Sequence, residues 1–453
     1  MIKKLNDSIY KPFSIAPLAV FRVLFGFVMF VSVIRFMLNG WVRTQYLDPK
    51  FYFPYYGFEW IKPLGEAGIY SLFVIMALSA LGVMLGSFYR ISAALFFVAF
   101  TYVELIDKTN YLNHYYFVSL VSLVMVFLPA HRGFSLDVLR KPALKLDKIP
   151  YWCVLIIQLQ LAVVYFYAGV AKLNYDWLVE ALPLRMWLLP HTHLPVIGGF
   201  LDKLWVAYFF SWFGAVYDLS IPFLLFNGKT RTFAYLAVVA FHILTWLLFP
   251  IGMFPFIMIL ATLIFFKPDF HQRFIQNIIR VLQRLRVYRE AAIARNRNST
   301  APVGSKLVVS FFAVFLLIQI LLPWRFLLYP GELFWTEQGY RFSWRVMLME
   351  KAGYTIFHIT DPENGRSWEA YAHDYLTPMQ EKQMSTQPDM ILQYAQFLER
   401  EYIKQGVKNP EIRVEAYVTL NGRGSRLLID PKIDLTKEKE GFHHKNWILS
   451  YSK

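Results

Sequence analysis

Lys172 stands in the string Val163–Trp177, VVYFYAGVAKLNYDW, where an aromatic-rich apolar run meets Asn174 and Asp176. Two fates are open to a lysine at the edge of an apolar helix. Its stem snorkels and the ammonium stays wet, or it sits in a dry pocket that favours the uncharged amine and lets it act as a base. Asp176, one turn on, is placed to pair with it. His114 follows Asn113 in DKTNYLNH (Asp107–His114), and an Asn-His pair at a helix start either caps the helix or serves a site. His242 lies in the middle of VAFHILTW, where a core histidine bonded to a carbonyl and a functional one look alike. Glu104, Asp218, Arg22 and Arg35 are also ionisable residues within apolar runs, and such groups usually face a partner or a cavity. His191 and His193 have no carboxylate or cysteine at ligand spacing, so no metal is expected. No Gly-rich phosphate loop, nucleophile elbow or zinc motif occurs.

The elements that position these residues are membrane helices. Of 453 residues, 57% are hydrophobic, 18% aromatic and only 17% charged, and the mean hydropathy is +0.38. A soluble domain carries more charge. Apolar runs long enough to span a bilayer fall near Ala16–Leu38, Ala67–Tyr89, Ile91–Ile106, Tyr115–Pro129, Tyr151–Leu173, Leu204–Phe226, Thr232–Phe249, Ile251–Phe266 and Leu307–Leu328. The breaks near Arg90 and Pro250 are short, and each is either a turn between spans or part of one long or re-entrant segment. The formal charge of +15 is distributed by loop rather than in a nucleic-acid patch, so no nucleic acid is expected as a partner. One set of alternate loops holds Lys3, Lys4, Lys11, Arg90, Arg132, Arg140, Lys141, Lys145, Lys148, Lys229, Arg231 and the basic run from Lys267 to Lys306. The other holds only Arg43, Lys50, Lys62, Lys108, Arg185 and Lys203. This asymmetry predicts a cytoplasmic N-terminus and an extracytoplasmic chain after Pro330. It also brings Asn113, His114 and Lys172 to one level, at the outer face. The single cysteine, Cys153, excludes an intramolecular disulfide.

His271–Arg297 has apolar positions at helical spacing among arginines and reads as an amphipathic helix on anionic lipid, with Asn298–Ser305 as the linker that follows. After Pro330 the pattern changes to alternation. Tyr354–Thr360 and Trp368–His373 flank Asn364-Gly365, and Arg413–Leu420 and Ser425–Ile429 flank Asn421-Gly422, two hairpin signals. Met390–Lys404 between them has helical period. The predicted fold is a polytopic α-helical membrane domain of about nine helices over residues 1–329, followed by an extracytoplasmic α+β domain over 330–453.

Several unusual strings occur in one order: DKTNYLNH, YFYAGVAKLNYDW (Tyr165–Trp177), FHILTWLLFPIGMF (Phe241–Phe254), YRFSW (Tyr340–Trp344) and ILQYAQFL (Ile391–Leu398). In these the chain resembles the vitamin K-dependent γ-glutamyl carboxylases, in a bacterial-type form, and the similarity runs over most of its length. The resemblance implies an enzyme of a bacterial inner membrane that uses vitamin K hydroquinone, oxygen and carbon dioxide to carboxylate glutamyl side chains of a polypeptide substrate. It implies that Lys172 is the base toward the hydroquinone, that His114 assists carboxylation with Asn113 beside it, and that His242, with Gly252, Met253 and Phe254, belongs to the cofactor region.

The chemistry is consistent. A phenol-like hydroquinone has a pKa near that of tyrosine, about 10, and exposed lysine titrates at about 10.4. Burial that lowers an amine by up to about 3–5 units leaves it uncharged near neutral pH. The γ-carbon proton of glutamate is beyond any amine by on the order of ten pKa units, at about 1.36 kcal/mol each. The cofactor must carry that step, in a dry place.

Tyr340 and Trp344 follow the last span closely. They form either an aromatic belt at the interface or the threshold of the site, with Arg341 or Arg345 holding the substrate carboxylate. Ala171 stands where animal relatives have a second lysine, Gly339 and Met349 replace larger or ionisable residues, and the inter-part disulfide of those relatives is excluded. A quinol oxygenase acting on another acceptor and, less favoured for want of internal repeats, a transporter are the competing functions.

Overall fold

The computed structural model describes residues 7–285 and 306–451. In a bilayer each apolar run must satisfy its own backbone, which only the helix does within one segment. The membrane domain accordingly runs from β1 (Pro12–Ser14) through α1 (Ala16–Leu38), α2 (Gly65–Leu85), α3 (Tyr89–Ile106) and α4 (Asn113–Phe127). It continues with β2 (Lys148–Pro150), α5 (Trp152–Ala171), the short α6 (Tyr175–Leu178), α7 (Leu204–Phe226), α8 (Arg231–Leu248), α9 (Phe254–Thr262), α10 (Pro268–Arg284) and α11 (Lys306–Leu321). β1 and β2 pair antiparallel, which ties the start of α1 to the start of α5.

Among the described residues, seven helices are long and apolar enough to cross a membrane, or up to eight if a bent pair counts as one span. The expected nine are therefore not all full crossings. α4 has 15 residues, and α9 is a nine-residue helix extended by a 3₁₀ turn. The chain bends by 117° between that turn and α10, so α9 and α10 form one broken element. The break near Arg90 is a true turn, with Gly86 at φ +63° and Phe88 at φ +44° between α2 and α3. Of the predicted amphipathic stretch, α10 is helical to Arg284. The part beyond residue 285 and the predicted linker 298–305 lie outside the described residues.

Arg22, in the first span, is fully buried and gives its guanidinium to the carbonyls of Val83 (2.7 Å), Met84 (2.6 Å) and Phe134 (2.5 Å). The first two carbonyls belong to the last turn of α2, whose final groups have no partner within the helix. Its role is structural. α5 packs against α7 at backbone distance: a Cβ at Gly169 would lie 2.7 Å from Leu219 N. This close approach sets Lys172 opposite Asp218.

The C-terminal domain has an antiparallel sheet of order β4-β3-β5-β6, with β3 Lys351–Thr360, β4 Ser367–Ala370, β5 Glu411–Leu420 and β6 Arg426–Leu427. Both expected hairpins form, with shorter outer strands; His373 falls in a 3₁₀ turn instead. Alternate residues of β5, Ile412, Val414, Ala416, Val418 and Leu420, are buried, as one covered sheet face requires. The two longer helices of the domain are α12 (Pro378–Met384) and α13 (Pro388–Lys404), and α13 presents Ile391, Tyr394, Ala395 and Leu398 to the same core. That core also takes in Phe53, Ala171, Trp177 and Leu184 of the membrane domain, so the two parts are joined by continuous packing.

Candidate active site

Lys172 ends α5 with its side chain turned into the protein, and it is 6% exposed. Its Nζ donates to Asp218 Oδ2 at 2.7 Å and to Ala168 O at 3.2 Å, and lies 5.3 Å from the Trp177 ring centre. Of the two fates open to it, snorkelling is ruled out. Asp176, expected to pair with Lys172, instead accepts Asn421 Nδ2 at 2.7 Å and both Arg423 nitrogens at 2.7 and 2.8 Å. The reason is geometric. α5 stops at Ala171 and Asn174 opens α6 by accepting from Trp177 N, which turns Asp176 toward the C-terminal domain. Asp218, from α7, is thus a site residue that sequence spacing does not find. Its presence in an apolar run was the one available signal.

Lys172 and Asp218 border a narrow slot within the membrane domain, walled by the rings of Tyr165, Phe241, Phe249 and Phe254. His242 lines it too, with Nε2 3.0 Å from the Tyr165 hydroxyl, while its buried Nδ1 has no partner among the described residues. A second cavity, of about 510 Å³, lies between the membrane helices and the C-terminal domain. His114, Asn113, Gly252, Met253, Tyr340, Arg341 and Arg345 all line this vestibule. The predicted site residues are therefore divided: Lys172 and His242 at the slot, Phe254 at both cavities, Trp344 at neither, and the others at the vestibule.

Within the vestibule the residues differ in how far they are committed. Asn113 does not cap α4. Its Nδ2 donates to Arg345 O at 2.9 Å and its Oδ1 accepts from the Tyr111 hydroxyl at 3.1 Å, so it holds the YRFSW loop in place. His114 has ring contacts with Tyr115 and Phe254 and no hydrogen-bond partner among the described residues. Arg341 is taken: it bonds Asp389 Oδ2 at 2.7 Å and also Gln387 Oε1. Burial would lower its guanidinium, but the Asp389 charge outweighs this and raises it. Arg345 is 8% exposed, lies 4.5 Å over the Phe326 ring, and has no acidic partner among the described residues. Burial lowers its guanidinium to about 10, so it stays a cation at neutral pH and can receive a carboxylate. Trp344 touches neither cavity. It is fully buried and stacked on Tyr116 at 4.9 Å, a packing residue rather than a threshold.

The loop that carries these residues is held in an unusual backbone. Phe342, Trp344 and Met347 have φ of +63°, +57° and +49°, a region that costs on the order of 1–3 kcal/mol each for side chains of this kind. Such a loop persists because its surroundings fix it. Phe342 N donates to the Tyr111 hydroxyl at 2.7 Å and the Ser343 hydroxyl to Gly339 O at 2.9 Å.

A further buried network joins the DKTN motif to the C-terminal domain. Asp107 accepts from Thr109 N at 2.9 Å and Gln380 Nε2 at 2.8 Å. Lys108 reaches Asp389 at 2.8 Å and Glu440 at 3.5 Å. Burial alone would raise the Asp389 carboxyl, yet Arg341 and Lys108 outweigh it and hold the group well below the usual carboxylate range.

Fold and site together define an integral membrane protein with an intramembrane aromatic slot, roofed by an α+β domain that supplies part of the site. Residues 10–270 match the family model described as the HTTM domain, and residues 304–453 match the one described as the vitamin K-dependent gamma-carboxylase lumenal domain. The first match alone covers more than half of the chain, and the chain belongs to the vitamin K-dependent gamma-carboxylase family. No solved structure matches it.

Proposed function

We propose that the protein couples oxidation of vitamin K hydroquinone to carboxylation of glutamyl side chains. The observation that carries this is the buried Lys172–Asp218 pair facing an aromatic slot. The slot suits a flat aromatic diol: its walls are rings, and His242 lines it beside the Lys172–Asp218 pair. When bound, vitamin K hydroquinone supplies with oxygen the strong base for the γ-carbon; overall, hydroquinone, oxygen, a glutamyl C–H and carbon dioxide become quinone epoxide, water and a γ-carboxyglutamyl group.

The remaining roles fall to residues of the chain. The Lys172–Asp218 pair is neutral as a unit, and it takes up one proton from a phenolic hydroxyl placed against Nζ. That proton ends on Asp218, and the ammonium, released from its carboxylate, balances one new negative charge in the slot. No net charge is created in the membrane, where an isolated ion is costly. His242 and Tyr165 orient the ring, and the aromatic walls exclude water. Across the vestibule Arg345 receives the glutamyl carboxylate, and the uncommitted His114 faces the reacting carbon. Asn113 acts by positioning.

The test is mass spectrometry of a glutamyl peptide after incubation with hydroquinone, oxygen and bicarbonate. The parent chain is expected to add carbon dioxide to the peptide and to form the epoxide. Lys172→Ala is expected to lose both products by more than about a hundredfold, with the fold retained. Epoxide without peptide modification under all conditions would favour an oxygenase acting on another acceptor. Undiminished epoxide from Lys172→Ala would remove the lysine from the reaction.

A further inference from the structure

The slot and the vestibule are separated by very little. Ile251, Phe254, Val346 and Met347 line both cavities. The Phe254 ring centre is 5.6 Å from that of His114 on one side and 5.6 Å from that of His242 on the other. The partition is one side chain thick, and it has two sources. Ile251 and Phe254 come from the α8–α9 turn, bent at Gly252 with φ +60°, and Val346 and Met347 come from the YRFSW loop.

We infer that Met347 and Phe254 form a septum that decides whether the two half-reactions stay coupled. The inference rests on the function proposed above. Charge is made in the slot, and the glutamyl carbon lies in the vestibule, so proton transfer between them has to pass this septum. Phe254 is held between two imidazoles, whereas Met347 is an unbranched thioether on a loop, the more adaptable of the two. With glutamate in place the septum passes one proton from the γ-carbon. Without it, the same septum keeps vestibule water out. If water reaches the slot it supplies the proton and recovers it, so hydroquinone and oxygen become epoxide and water with no carboxylation. Met347 is thus a specificity-determining residue for C–H over O–H as the proton source.

The septum can be tested without turnover, because the only native thiol, Cys153, is buried. Met347→Cys in the full chain is labelled with a maleimide in the presence of 2,3-dimethyl-1,4-naphthoquinone or a glutamyl peptide. Each ligand by itself, at about ten times its Kd, is expected to slow labelling about tenfold. Met379→Cys, which lines the vestibule alone and is 46% exposed, is expected to be protected by the peptide only. Protection of position 347 by one ligand or by neither overturns the shared septum. In turnover, Met347→Ala is expected to raise the ratio of epoxide to carboxylated peptide about fivefold or more, and Met347→Leu to bring it back toward the parent value. Equal loss of both products in Met347→Ala overturns the coupling role. A parent chain that forms no epoxide counts against the proposed function, while the labelling result still decides the septum.

Discussion

Arg341 and Arg345 lie four positions apart on one loop and have opposite surroundings. Sequence offers them as equals for the substrate carboxylate. Arg341 is already spent on Asp389, whereas Arg345 is buried against Phe326 with no acid beside it. Arg345→Ala is expected to raise the peptide KM by about 10- to 100-fold, the loss of a charged hydrogen bond worth about 1.5–3 kcal/mol, with little change in melting temperature. Arg341→Ala is expected to do the reverse. It leaves Asp389, partly buried and still paired with Lys108, short of its charged hydrogen bonds to the guanidinium, at a cost of about 1.5–3 kcal/mol in stability, and the melting temperature shows it. Steady-state kinetics over a range of peptide concentrations, with thermal melts of the same samples, separates the two. If both variants lose affinity equally, Arg345 is not the carboxylate site.

At the scale of elements, the contact between α5 and α7 decides where the reactive pair sits. Gly169→Ala puts a methyl against the backbone of Leu219 and is expected to push the helices apart, with a loss of about 1–3 kcal/mol and of epoxide formation. Gly214→Ala, nearby on α7, meets only Lys172 Cε at 3.8 Å and Trp177 at 3.9 Å, ordinary contacts, and its melting temperature is expected to stay near the parent's. Equal melts for the two variants would contradict the tight α5–α7 approach. The helices themselves were readable from hydropathy: Ala16–Leu38 and Leu204–Phe226 appear with the expected ends. Their number was not. A run of apolar residues does not reveal that α4 stops at 15 residues or that α9 turns sharply into α10. Period-2 alternation and Asn-Gly turns gave away both hairpins, because those signals are local. Which acid meets Lys172 is a question of interhelical rotation, and single-chain spacing has no access to it; hence Asp176 was expected and Asp218 found.

At the scale of the whole molecule, loop charge bears on orientation. The loop-charge asymmetry supports a C-terminal domain outside the cytoplasm, which would place the vestibule on that side too. A reporter active only outside the cytoplasm, fused after Lys453, is expected to be on, and the same reporter inserted at Gly228, between α7 and α8, is expected to be off. The opposite pair of results would turn the protein over in the membrane. The site would then open to the cytoplasm, and the polypeptide substrate would have to be sought there.

The two parts of the molecule meet without a disulfide cross-link. One cysteine makes an intrachain disulfide impossible, and the junction relies on Asp176 with Asn421 and Arg423, on Lys108 with Asp389 and Glu440, and on shared packing. A junction of this kind ignores thiol–disulfide poise altogether: oxidant or reductant in the surroundings leaves it alone. Its vulnerability is acid. Asp389 is depressed in the folded protein, so its contribution is complete above the ordinary carboxylate value of about 3.9 and drains away as pH falls below it toward the lowered one. An organism that relies on ion pairs here has exchanged a fastening that answers to redox state for one that answers to protons.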